Sequence, residues 1–189
     1  MFGRFARLVA VFLTLLSGVI PMTASAAPAL DPENTLYLDL PAGRVVIQLR
    51  PDLAPNHVAR IKELVRQGFY DGLVFHRVIP GFMAQTGDPK GDGTGGSGKK
   101  LKAEFSSEHH VRGTVSMARS GNPDSGDSQF FICFAPSTWL DGQYTIWGQV
   151  VSGMEYVDQI KAGSASNNGT VTDPTKIVRM RVAADVKDK

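Results

Sequence analysis

The stretch VFHRVIPGFMAQTGD, residues 74–88, decides how the chain is read. Val74, Phe75, Val78 and Ile79 read as a short strand, and Phe82 and Met83 open a second one. Pro80-Gly81 between them reads as a turn, because proline fixes φ and glycine accepts a positive φ. Pairing the two strands brings Arg77, Phe82, Met83 and Gln85 together. An arginine beside an aromatic ring, a thioether and an amide, with no catalytic carboxylate or cysteine in the run, suggests recognition of a neutral, apolar group.

Outward from this stretch the chain is rich in strands. Upstream, Thr35 to Leu40 and Val46 to Leu49 alternate apolar and polar residues around a Pro41-Ala42-Gly43 turn. Ala54 to Gln67 is the clearest helix, with Pro55 near its start, Val58, Ile61, Leu64 and Val65 on one face, and Gly68 at its end. His57 and Arg60 are read as a solvated face of that helix. Downstream come a flexible Gly-rich loop (89–100), a strand from Thr114 to Ala118 and a polar loop from Arg119 to Ser128. Gln129 to Ala135, QFFICFA, is continuously apolar, which predicts a strand buried on both sides. A turn at Trp139 to Gly142, a strand from Thr145 to Val151, a second helix from Met154 to Ala162 capped by Gly163, and a final strand from Thr175 to Val186 complete the reading. With 42% apolar residues, 20 glycines and 11 prolines, this is a mainly β globule. The pattern predicts a closed β-barrel with helices outside it.

The first 26 residues follow a different grammar. Arg4 and Arg7 precede an apolar run from Leu8 to Ile20, and Ala24-Ser25-Ala26 is a small-x-small cleavage signal. The run is short for a membrane span, which takes roughly 20 apolar residues. A cleavable signal peptide over 1–26 is expected, then a flexible leader over 27–33 and one domain over 34–189. A periplasmic or secreted location follows. The chain carries 20 basic and 18 acidic residues; loss of Arg4 and Arg7 with the signal balances them. That balance gives no reason to expect nucleic acid or an acidic membrane as partner. The single cysteine, Cys133, excludes an intrachain disulfide and reads as a buried small hydrophobe.

Three motifs tempt and fail. Gly93 to Lys99 fits G-x-x-x-x-G-K, but Lys100 stands where a phosphate loop needs Ser or Thr. Gly126-Asp127-Ser128 resembles a serine nucleophile, but Gln129-Phe130-Phe131 follow in place of oxyanion-hole glycines. His109-His110 is a poor chelator, since adjacent residues point apart, and a surface loop is the better reading. No metal or cofactor is expected.

The residues left are Arg77, Phe82, Met83, Gln85, Gln129, Phe131, Trp139 and Leu140: an apolar pocket with one cation. Here the chain resembles the cyclophilins. FHRVIPGFMAQTGD at 75–88, GTGG at 93–96, SMA at 116–118, SQFFIC at 128–133 and WLDG at 139–142 stand in that family's order and spacing. The resemblance runs from about Thr35 to Val186. It implies an eight-stranded antiparallel barrel capped by two α-helices, and peptidyl-prolyl cis–trans isomerase activity on unfolded or flexible proline-containing chains. The family's catalytic arginine falls on Arg77. Its proline pocket falls on Phe82, Met83, Phe131 and Leu140, and its polar substrate contacts on His76, Gln85, Ala118 and Gln129. Trp139 at the pocket edge implies cyclosporin binding. Arg119 and Tyr144 depart from the common asparagine and histidine; the first is expected to shift preference for the residue before proline, the second to have a modest effect. Nothing suggests more than a monomer.

Overall fold

A computed structural model describes residues 29–187. The expected signal peptide lies outside them. Of the leader, Asp31 caps a 3-10 turn over Pro32–Asn34, and Glu33 bonds Lys62 and Arg66 on the first helix.

The strands are β1 (Thr35–Leu40), β2 (Gly43–Leu49), β3 (Arg77–Ile79), β4 (Met83–Thr86), β5 (Thr114–Met117), β6 (Phe130–Cys133), β7 (Ile146–Ser152) and β8 (Arg179–Val182). They form one eight-stranded sheet in the order β3-β4-β6-β5-β7-β2-β1-β8, with every pairing antiparallel. The helices are α1 (Pro55–Arg66), against β7 and β8, and α2 (Met154–Val157), against β2. The mainly β fold with two helices matches the expectation. The chain segments leading into the two outermost strands also exchange backbone bonds: Gly72 N–H donates to Ile177 O (2.9 Å), Ile177 N–H to Leu73 O (2.8 Å) and Phe75 N–H to Thr175 O (2.9 Å).

The expected turn is present: Phe82 N–H donates to Ile79 O, and Gly81 takes φ +73°, the positive value that made glycine the right residue there. Four elements are clearly shorter than the periodicity predicted: β3 begins at Arg77 and not at Val74, β6 covers Phe130–Cys133 and not Gln129 to Ala135, and α2 and β8 are cut back further. The second helix stops at Val157, with Asp158 rather than Gly163 at its C-terminus. The final strand covers only Arg179–Val182, and Ala183–Asp185 turns away as a 3-10 segment. Val178, expected to belong to the alternating strand, is 59% exposed. Among the described residues its ladder partner is β1, which it meets over Leu36–Asp39.

The core lies on one side of the sheet. Trp147, Phe130 and Tyr70 are fully buried and meet edge to face, with centroids 5.3 Å (Phe130–Trp147) and 5.6 Å (Tyr70–Phe130) apart. Val58, Ile61, Leu64 and Val65 bring the apolar stripe of α1 against them. Burying a side chain such as Phe130 contributes about 1.5–3 kcal/mol. The opposite side of α1 is not solvated as expected. His57 is 1% exposed and pairs with Glu104 (Nδ1 to Oε2, 2.6 Å); Arg60 donates to Ser97 Oγ. Glu104 also accepts from Asn56 N–H and His57 N–H, so it caps a helix whose own preceding residue, Ala54, cannot. Residues 97–104 cover this face, a packing that helical periodicity does not reveal.

Candidate active site

Strand pairing alone assembles the site. Arg77 opposes Gln85, and Gln85 opposes Phe131; Ile79 opposes Met83, and Met83 opposes Cys133. Directly paired residues share a face, and alternate residues share it too. These six side chains therefore line the face away from the core, while Val78, Ala84 and Ile132 point inward. Met83, Phe131, Cys133 and Leu140 form a second, smaller apolar cluster there, with Phe82, Ala118 and Tyr144 packed against it.

A cavity of about 350 Å³ opens over this cluster. Arg77, Phe82, Met83, Gln85, Ala118, Arg119, Phe131, Trp139, Leu140 and Tyr144 line it, ten of the twelve residues singled out from the sequence. Gln129 lies next door, in a polar cavity of about 280 Å³ that shares Gln85, Ala118 and Arg119 with the first. His76 lines neither: it is 7% exposed, neither ring nitrogen has a hydrogen-bond partner, and burial pushes its pKa down. It packs behind the loop that lines the polar cavity, where a Cβ on Gly93 would stand 3.7 Å from its Nε2. Trp139 stands at the rim, 60% exposed, its ring 5.5 Å from that of Phe82. The two departures from the family pattern meet each other: the Arg119 guanidinium sits 4.5 Å over the Tyr144 ring and donates to Gln143 O and Ser120 O. Cys133 is buried beneath the pocket, and burial pushes its thiol up to about 12.

The arginine is held on two sides. Its NH1 donates to Gln85 Oε1 (3.1 Å); its Nε donates to the backbone O of Asn168 (3.0 Å) and its NH2 to Asn168 Oδ1 (3.0 Å). Gln85 donates onward to Gln129 Oε1 (2.9 Å), and Gln129 to the carbonyls of Gly93 and Gly95. Every acceptor on Arg77 is an amide oxygen. By contrast Arg44, Arg66, Arg112 and Arg181 each meet a carboxylate at 2.6–2.9 Å. Partial burial pulls Arg77 below the ordinary arginine value.

The Gly-rich loop is not the flexible segment expected. Asp88 accepts from the backbone N–H of Lys90, Asp92 and Gly93, and Asp127 from those of Ser97 and Gly98. Those N–H groups face carboxylates, which leaves none of them for a phosphate. Ser128 is fully buried and donates to Gly87 O (2.7 Å), with no histidine beside it, so it is no nucleophile.

Two supports escaped sequence reasoning. His110 was placed in a surface loop; it is fully buried, bonds Asp141 through Nδ1 (2.9 Å) and Ser116 through Nε2 (3.0 Å), and stacks at 16° on Phe131. Its neighbour His109 is exposed and bonds the other oxygen of the same Asp141 carboxylate (2.7 Å). The other is Asn168, whose one sequence signal was the turn-forming Asn168-Gly169 pair.

The all-antiparallel sheet thus carries on its outer face a cavity with an apolar floor and a polar side, and a cation held at its edge. The comparisons give the chain its family. The model of cyclophilin type peptidyl-prolyl cis-trans isomerases matches residues 35–182, and the chain belongs to that family of enzymes. A probable peptidyl-prolyl cis-trans isomerase of Brucella suis is 56% identical, the match covering 98% of this chain and 99% of the relative. A peptidyl-prolyl cis-trans isomerase-like 1 of Emericella nidulans is 41% identical over 76% of this chain and 91% of its own. Among solved structures, a cyclophilin from Hirschia baltica superposes with a TM-score of 0.76 at 28% identity, covering 85% of this chain and 77% of its own. A Cryptosporidium parvum cyclophilin crystallised in the presence of the dipeptide Ala-Pro gives 0.71 at 25% identity, covering 78% and 98%.

Proposed function

We propose that this protein catalyses X–Pro rotation in flexible or unfolded polypeptides outside the cytoplasm, with Arg77 as the catalytic residue. The observation that carries the reading is the pairing of an unneutralised guanidinium with a cavity that has an apolar floor. Phe82, Met83, Phe131 and Leu140 grip the proline ring while the acyl side turns.

The chemistry needs little else. Amide resonance sets a rotation barrier of about 18–20 kcal/mol, and uncatalysed X–Pro exchange takes tens to hundreds of seconds. A catalyst must bind the twisted amide better than either planar form. In the twisted state the proline nitrogen loses conjugation and regains a basic lone pair. A guanidinium donating to that nitrogen stabilises it and offers nothing comparable to the planar amide, whose nitrogen is a poor acceptor. Arginine suits the task because it stays charged and presents a rigid fork. A carboxylate on that fork would blunt it; amide oxygens orient it and leave its charge available.

The Ala-Pro dipeptide named with the Cryptosporidium relative supports a proline-containing substrate. The N-terminal pattern of Arg4, Arg7, an apolar run and Ala24-Ser25-Ala26 supports export and cleavage after Ala26. The bonds between residues 72–75 and 175–177 support a sheet closed into a barrel. Trp139 at the rim supports cyclosporin binding, to be read from tryptophan fluorescence; an unchanged spectrum at saturating drug counts against it. The protein acts as a monomer in this reading.

The test is cis-to-trans exchange of an X–Pro peptide, with the mature chain and with Arg77→Ala. Acceleration by the first and its loss in a still-folded second support the reading. Equal acceleration by both removes Arg77 from the mechanism, and acceleration by neither turns the pocket into a binding site for proline segments.

A further inference from the structure

We infer that Asn168 is the positioning residue for Arg77: it fixes the guanidinium at the cavity edge through neutral oxygens and leaves its charge intact. The inference rests on Arg77 being the catalytic group.

Residues 163–170 reach the site from far along the chain, yet they are built onto the strand that carries Arg77. Val78 N–H donates to Gly169 O (2.8 Å), Gly163 N–H donates to Val78 O (3.0 Å), and Arg77 bridges Thr170. Gly169 N–H closes the loop on Ser164 O (2.9 Å). The fit leaves no room for a side chain at either end. A Cβ on Gly163 would stand 2.0 Å from Gly169 O, and one on Gly169 would stand 2.5 Å from the Ile79 side chain. The loop and β3 therefore form one frame. Asn168 adopts φ +59°, a left-handed conformation that asparagine tolerates better than most residues. That conformation accompanies both of its oxygens meeting the same guanidinium.

A guanidinium carries five N–H donors. Asn168 takes two and Gln85 one, which leaves two for an incoming group. Without Asn168 the long side chain regains rotamer freedom, and the fork must be ordered at each turnover. The loss then falls on the rate and not on binding, because the proline ring is held by other residues.

Asn168→Gly separates this role from a structural one. Glycine accepts the left-handed φ and keeps the backbone carbonyl, so only the Oδ1 acceptor disappears. In the mature chain, kcat for X–Pro exchange should fall about tenfold, the weight of one hydrogen bond to a charged group. KM and the thermal midpoint should hold, and the Arg77 Nη2 protons, which lose the Oδ1 acceptor, should exchange faster with water by NMR, while Nε–H keeps its backbone partner. Adding Asn168→Gly to Arg77→Ala should slow exchange no further. An unchanged kcat in Asn168→Gly, with Arg77→Ala strongly impaired, overturns this inference alone. A midpoint that falls in step with kcat makes the residue structural and overturns it as well. Full activity in Arg77→Ala removes the reading on which it rests.

Discussion

Strand β6 looks two ways. Phe130 and Ile132 enter the main core, where Trp147 and Tyr70 meet Phe130 edge to face. Phe131 and Cys133 face the other side, where Met83 and Leu140 complete a cluster of only four buried residues, open to a cavity. Both faces use aromatic and aliphatic side chains. What differs is the next layer: the core has one, and the outer cluster has a partial rim of Phe82, Trp139 and Tyr144 around Arg77. A cavity arises here where packing stops one layer short, with no change in the kind of residue used, and the proposed function makes it the binding surface.

The comparison makes the core the seat of stability and the outer face the seat of rate. Phe130→Ala should cost about 3–5 kcal/mol in urea unfolding, by lost burial and the cavity left behind; a cost below about 1 kcal/mol would mean that the core is not close-packed around it. Arg77→Ala should slow X–Pro exchange by about 100- to 1000-fold, as removal of a preorganised donor does elsewhere, while its thermal midpoint stays put. A large fall in midpoint would blur the division between the two faces. Leu140→Ala should show both effects in miniature: about 2 kcal/mol of stability, at the low end for a leucine because it sits at the edge, and a raised KM for the proline peptide. An unchanged KM would place the ring elsewhere.

The smallest effect concerns histidines behind each face. His57, behind α1, and His110, beneath Phe131, both have their pKa lowered, first by burial and against the pull of Glu104 and Asp141 respectively. The unfolded chain takes up protons first, near the ordinary value of about 6.5. Their contribution is therefore present above that pH and is lost as pH falls through the folded value. His76 adds in the same direction. His109, raised by Asp141, acts oppositely, but it lies on the surface. The midpoint should drop by a few degrees from pH 7 to pH 5, above the range of about 4 where carboxylates titrate. His57→Gln should flatten the drop; a level profile in the parent protein would mean that these rings already accept protons when folded.

Much of the site was legible because its signals are local. Pro80-Gly81 marks the turn, the period of two places Arg77 with Gln85 and Phe131, and the apolar run at 129–135 marks the strand shared by both faces. Arg77, Phe82, Met83, Gln85, Phe131, Trp139 and Leu140 meet around one cavity for that reason, whereas Ala118, Arg119 and Tyr144, which also line it, were reached only through the family resemblance. His57, His110 and Asn168 were not legible, because each depends on a segment that comes from elsewhere to cover or reach it. Residues 97–104 bury His57, Asp141 draws His110 inward, and the 163–170 loop brings Asn168 to Arg77. The ends of α2 and β8 were overrun for a related reason: apolar alternation continues past the point where a ladder partner or helical turn is available.

Cys133 turns the outer face into a clock. Cys133 is fully buried, and burial pushes its thiol up to about 12, so it is held as the unreactive thiol at neutral pH. An alkylating reagent must then wait for β6 to open. The rate of labelling counts those openings, and at slow reagent attack it reports their free energy. A proline peptide that fills the cavity above Phe131 should lengthen the interval between them, so that one thiol times both the breathing of the pocket and its occupancy.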